Sequence, residues 1–297
     1  MNTALPSWIG PAAGFVLAPL LVSVTVRVKA RAAGRAGPPL IQPYRDLGKW
    51  LRKGSVTSQT AGVLFRVGPA VALGGAAFSL CLVPPAGVRP LASFPGDLVA
   101  LAYALAAGRF FMLLAALDTG SSFEGMGASR DAWFSALLEP AFLVTLAAIA
   151  RGAGSDSLAE ALNSPGRAAV LWIAAAALSI LFLAENGRVP VDDPATHLEL
   201  TMVHEVMALD HGGVDLAAIE YARALKFWVL ASILAGLLPH PETPGFAIVT
   251  WLAGMMAVAV ATGVVESTRA RMRMNRVTQF LAGGCALALI AALESLR

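Results

Sequence analysis

Charge is scarce in this chain. Only 14% of its 297 residues are Asp, Glu, Lys or Arg, against about 25% in a soluble globular protein, too few to cover a water-soluble body. Cysteine is scarcer still. Cys81 and Cys285 both lie in apolar runs, which excludes a disulfide framework and a four-thiolate cluster, and gives no metal-thiolate site. No basic stripe is interleaved with aromatics, so the isoelectric point near 9.1 does not point to nucleic acid. No internal repeat is visible, so the inverted-repeat plan of many secondary transporters gains no support. What the sequence does have is apolar residues, 57% of the total, at a mean hydropathy of +0.69. Its charges gather between long apolar runs. The chain is read as an all-α integral membrane protein, a single membrane domain over residues 1–297.

A helix crosses the hydrocarbon core in about 20 apolar residues. Runs of that kind at 8–28, 61–84, 97–117, 134–150, 168–185, 216–238, 246–266 and 277–296 predict eight transmembrane helices. The first has no basic region before Trp8, and its Arg and Lys follow it, so it reads as a retained span and not a signal peptide. Basic residues set the orientation. Arg27, Lys29, Arg31, Arg35, Arg45, Lys49, Arg52, Lys53 and Arg66 follow the first run, and Arg269, Arg271, Arg273 and Arg276 link the last two. The positive-inside rule puts these links in the cytoplasm and both termini outside. Nearly all unusual sequence then falls on the cytoplasmic side.

Four features there carry chemistry. Residues 43–53 predict a short interfacial amphipathic helix, opened by Pro43 and stopped by Gly54, with Tyr44, Leu47, Trp50 and Leu51 on one face. It reads as a topological anchor, or as a chamber wall or docking edge. The segment from Leu117 to Arg130 is polar and rich in Gly and Ser, and reads as a tightly turned loop; Gly125-x-Gly127 is too short for a dinucleotide fingerprint. Arg109, Glu139, Glu185 and Glu266 fall at membrane depth, Glu139 deepest of the acids. A charge there costs about 2.5–3.5 kcal/mol, so such groups pair or line water. Glu139 reads either as a helix-pairing partner of Arg109 or Arg130, or as a proton-exchanging carboxyl.

The fourth feature is a long cytoplasmic loop over 186–215, containing a semi-polar helix between Asp193-Pro194 and Gly212-Gly213. His197, His204 and His211 would lie on one stripe of it, about 10 Å apart, too far to share a metal. His204-Glu205 is no zinc motif, because Ala208 stands where a second His is needed. No metal site is expected.

These residues resemble a family. Arg188-x-Pro190-x-Asp192-x-Pro194 with Glu199 five residues on, Arg130 followed by Glu139, and Gln42-Pro43 with Asp46, Lys49 and Lys53 resemble, in order and spacing, the membrane-arm H subunit of respiratory complex I (NADH dehydrogenase subunit 1). Leu117 to Ser121, Gly125 to Arg130 and Glu199 to Glu205 are similar to the membrane subunit of formate hydrogenlyase and other group 4 nickel–iron hydrogenases. The quinone-using branch usually carries a denser acidic run where Ala195, Thr196 and His197 stand.

The resemblance implies a membrane-anchor and proton-coupling subunit of an energy-converting redox complex in a bacterial or archaeal inner (cytoplasmic) membrane. It would hold no redox centre of its own. Nickel–iron and iron–sulfur centres would sit in hydrogenase-like large and small subunits and an iron–sulfur protein, and antiporter-like subunits would lie beside it in the bilayer. Glu139, Glu199 and Glu205, grouped with Arg109 and Glu266, would form a proton path and chamber. Gln42, Asp46, Lys49, Arg130, Arg188, Asp192 and Asp193 would shape the docking loops. Two alternatives stay open: a quinone-binding subunit of an NADH:quinone oxidoreductase, and a stand-alone ion transporter.

Overall fold

The computed structural model describes residues 6–85, 88–163, 166–193, 201–241 and 243–297. Ten α-helices account for most of them, and no strand occurs among the described residues. In lipid, backbone polar groups have no water to bond, so a spanning segment must satisfy them within itself. The long apolar runs accordingly form α1 (Ile9–Ala32), α3 (Val63–Leu82), α4 (Asp97–Asp118), α5 (Ser122–Ala153), α7 (Ala168–Glu185), α9 (Pro244–Thr268) and α10 (Met274–Ser295). The shorter helices are α2 (Gln42–Trp50) and α6 (Leu158–Asn163). Among the described residues seven helices are long and apolar enough to cross a membrane, and the protein is a multi-pass membrane protein. The remaining helix, α8 (Gly213–Gly236), has 24 residues but carries Asp215, Glu220, Arg223 and Lys226 between its start and its middle turn.

That charged helix is the centre of the bundle. It packs against α1, α3 and α9 along its length and also touches α2, α6 and α7. Beyond Lys226 it is a buried apolar rod that includes Phe227, Trp228, Leu230 and Ile233. Trp228 meets Trp251 of α9 edge to face, 5.8 Å between ring centres, and Trp251 donates its indole N–H to Ser232. The end of the bundle with the α4 N-terminus is plain: buried Asp97 accepts the backbone N–H of Leu158 at 2.7 Å and the hydroxyl of Ser157 at 2.8 Å. The opposite end holds α2, the 186–193 turn, the 201–212 segment and the α9–α10 link.

Two expected loops are different in the structure. The polar stretch after Leu117 is a turn only at Thr119 to Ser121; from Ser122 it is already helix, so α5 runs for 32 residues. Glu124, Met126, Ala128 and Arg130 are good helix formers, and Gly127 lets this extension lie close against the 201–212 segment. The helix expected through 193–212 is absent from the described part. Residues 201–212 form turns with one 3-10 turn at Val206–Ala208. Distant side chains claim the backbone groups an α-helix would use. Asp192 accepts the N–H of Val203 and of His204, and Glu124 that of Asp210. Arg130, Arg223 and Arg271 donate to the carbonyls of Met202, His204 and Thr201. His204 and His211 therefore share no stripe; His197 lies outside the described residues.

Candidate functional site: a charged chamber

The chain's charged side chains converge on a cavity of about 490 Å³ at the loop-rich end. One wall is apolar, built by Val22 and Val26 of α1, Leu47 and Trp50 of α2, and Ala72 and Ala76 of α3. The other is ionic. Arg109 on α4 is 8% exposed and sits among carboxylates: it bonds Glu185 at the end of α7, lies 3.7 Å from Asp131, and lies 3.9 Å from Glu139, the last two both on α5. Lys226 on α8 adds a second cation 3.7 Å from Glu185. Burying such groups is tolerable only because each charge meets an opposite one.

Three further clusters line the same space. Glu266 on α9 lies 3.3 Å from Arg188 and 3.6 Å from Lys29, and Lys29 reaches Asp193 at 3.4 Å. The Arg188 guanidinium stands over the Phe227 ring at 5.4 Å, a cation–π contact. On α8, Arg223 holds Glu220 and, at 2.8 Å, Glu205. Asp192 receives Arg271 at 3.3 Å and the His204 ring at 3.4 Å. Burial alone would raise the Asp192 carboxyl, but His204, its backbone N–H and Arg271 outweigh it and hold the group down at about 2.

A second cavity, of about 310 Å³, opens on the flank between α4 and α5. Glu139 lines this one with Tyr103, Ser135 and Pro140. Arg109 and Glu185 line both, so their ion pair is the shared wall. Glu139 is the least buried acid around Arg109: its side chain is 42% exposed, against 2% for Asp131 and 10% for Glu185. It stands one helical face away from the buried pair, on the side that opens outward.

The remaining expected residues divide by place. Arg109, Glu205, Glu266, Asp46, Arg188 and Asp192 line the chamber, and Asp193 joins it through Lys29. Gln42 and Lys49 flank Asp46 on α2, at 2.8 and 3.6 Å, where Lys49 is largely exposed. Arg130 holds the Met202 carbonyl at 2.9 Å, outside the ionic wall. Glu199 lies outside the described residues. Among the described residues no three His, Cys, Asp or Glu side chains could together hold a metal ion.

Asp131, Lys226, Arg223, Lys29 and Arg271 were missing from the expected set. One signal was available: Glu220, Arg223 and Lys226 recur at three-residue spacing, one face of a helix. Nothing local marks Asp131, which earns its place only from the fold.

A bundle of apolar helices closed around interlocked buried ion pairs defines a multi-pass membrane protein with a charged interior. Comparison with known proteins gives it a family. The NADH dehydrogenase family model matches residues 9–294, and the chain belongs to that family, of the subunit 1 type. It is 31% identical to Hydrogenase-4 component C of Escherichia coli over 292 residues, 93% of this chain and 90% of that one. It is 29% identical to Formate hydrogenlyase subunit 4 of Escherichia coli over 294 residues, 93% and 94% of the two chains. A chain in the solved structure of the membrane-bound sulfane sulfur reductase, an archaeal respiratory membrane complex, shares the fold with a TM-score of 0.82 at 19% identity, covering 96% of both.

Proposed function

We propose that this chain is the membrane-anchor and proton-coupling subunit of a multi-subunit redox complex of the hydrogenase or formate hydrogenlyase type. In this reading α8 is an eighth span, its charges shielded inside the bundle, and an even number of crossings leaves both termini on the outer face of an inner membrane. The loop-rich end faces the cytoplasm. There α2, the 186–193 turn and the 201–212 segment receive the peripheral arm: hydrogenase-like large and small subunits and an iron–sulfur protein. Antiporter-like subunits lie beside the bundle. The names of the two Escherichia coli relatives support this assembly.

One observation carries the coupling role: the Arg109–Glu185 pair separates the arm-side chamber from the flank cavity that holds Glu139. A change of charge in the chamber alters what Arg109 must neutralise, and Glu139 lies within its reach. Proton uptake and release at Glu139 then follow the state of the docked arm. In vesicles containing the whole complex, Glu139→Gln preserves assembly and electron transfer but cuts proton movement per turnover several-fold. Unchanged proton movement in the variant overturns the role.

A second reading is favoured by the amphipathic lining of the chamber, mainly apolar on α1 to α3 apart from Lys29 and Asp46 and ionic opposite, which suits a lipid-soluble quinone. A photoreactive quinone analogue that labels residues 192–205 supports it; labelling confined to the lipid-facing helices does not.

A further inference from the structure

His204 is held through its backbone and through both ring nitrogens. Its backbone N–H donates to Asp192 at 3.1 Å, and its carbonyl accepts from Arg223 at 2.9 Å. The ring then lies between two carboxylates from different parts of the fold. Nδ1 is 3.4 Å from Asp192, in the turn after α7, and Nε2 is 3.5 Å from Asp131 on α5. Both acids have side chains only 2% exposed, while the ring keeps 18%, on the chamber side. Nε2 of His204 and the facing Oδ1 of Asp131 have no other hydrogen-bond partner among the described residues.

The fold also makes room for the ring. Gly187 adopts φ +57°, and a Cβ at that position would stand 2.8 Å from Nδ1. A side chain at 187 would displace the imidazole from its seat between the acids. Only glycine meets both the backbone and the steric requirement.

A neutral imidazole carries one N–H and one lone pair, whereas the imidazolium donates from both nitrogens. Two buried carboxylates on opposite edges of one ring are both satisfied only by the charged form. The other charges around it are in place: Arg271 on the far side of Asp192, Arg109 at 3.7 Å behind Asp131, and Arg223 paired with Glu205 and Glu220.

We propose that His204 is a proton-binding coupling residue that clamps the 201–212 segment to α5 when protonated and releases Asp131 when it gives up that proton. This deepens the proton-coupling reading above and rests on it. In the protonated state Nδ1–H meets Asp192 and Nε2–H meets Asp131. On deprotonation the proton passes to water reaching the chamber, and the remaining N–H stays with Asp192, which the two backbone amides already fix. Asp131 then faces a lone pair and turns wholly to Arg109. This weakens the hold of Arg109 on Glu185 and Glu139, and the arm-side surface becomes linked to the flank cavity through one titrating ring.

The test uses the whole complex with Cys81 and Cys285 replaced and a single probe, Leu209→Cys, at an exposed position of the segment. Labelling by a polar maleimide, corrected for the thiol's own ionisation, should rise several-fold as the pH is raised from about 5 to about 8. His211, held at about 4, titrates below that window. His204→Gln, which cannot take up a proton, flattens the profile. So does Asp131→Asn, whose amide satisfies a neutral imidazole, and it carries the test if the first variant fails to assemble. A wild-type rise that persists unchanged in either variant overturns the proposal. If that happens while Glu139→Gln still impairs proton movement, the coupling role stands without His204. A flattened profile with full proton movement in Glu139→Gln has the opposite meaning.

Discussion

His211 lies flat on Phe65, ring centres 3.9 Å apart and planes within 2°, and is 5% exposed. Neither ring nitrogen has a hydrogen-bond partner among the described residues, so the imidazole serves here as an apolar plate. Burial, with help from the nearby Arg223 charge, pushes its pKa down to about 4. The unfolded chain binds that proton near the ordinary 6.5, so between these values the unfolded state carries more protons than the folded one. Stability contributed by neutral His211 is therefore complete above about pH 6.5 and is lost as the pH falls towards about 4. His211→Phe keeps the stack and cannot be protonated. The melting midpoint of the variant should match wild type at neutral pH and exceed it near pH 5, with an advantage on the order of 2 kcal/mol. An equal acid-induced loss in both proteins excludes His211 as its source.

At the scale of elements, the long helices were legible because lipid leaves the backbone one way to satisfy itself, and an apolar run of the right length announces it. Segment 201–212 was not legible. Its backbone is bonded by Glu124, Arg130, Asp192, Arg223 and Arg271, none of which is within a helical turn of the group it serves. The chamber was half legible for the same reason. Arg109, Glu185 and Glu266 stand out as charges in apolar runs, whereas Asp131 and Lys226 acquire partners only when α5, α7 and α8 come together. The seam between α5 and this segment can be tested by two neighbouring glycines. A Cβ on Gly127 would collide with Val206 and stand 3.0 Å from the Val203 carbonyl, whereas a Cβ on Gly125 meets nothing within 4 Å. Gly127→Val should destabilise by about 1–3 kcal/mol and raise proteolytic nicking between 201 and 212. Gly125→Ala should leave the seam intact and add up to about 1 kcal/mol of helix stability. Equal behaviour of the two variants argues that α5 does not bear on the segment.

At the scale of the molecule, the two ends of the bundle are chemically unlike, and the difference has a direction. Lys29, Arg188 and Arg271 are drawn into the ionic chamber, so the basic residues at that end fasten its loops. The other end is closed by the buried Asp97 hydrogen bonds and the apolar α6. Insertion retains Lys and Arg on the cytoplasmic side. In the proposed reading the chamber end faces the cytoplasm, where a soluble electron-transfer arm would reach it. In a background with Cys81 and Cys285 replaced, single cysteines in place of Val56, 90% exposed beyond α2, and of Leu91, 51% exposed between α3 and α4, report the two faces. On intact cells stripped of their outer wall, an impermeant maleimide should label Leu91→Cys and spare Val56→Cys until the membrane is opened. Arg297→Cys should behave like Leu91→Cys if α8 crosses the bilayer. It should behave like Val56→Cys if only the seven apolar helices do, because each crossing reverses the side on which the chain ends. The C-terminal probe thus decides whether a helix carrying Asp215, Glu220, Arg223 and Lys226 can traverse the membrane inside a protein sheath.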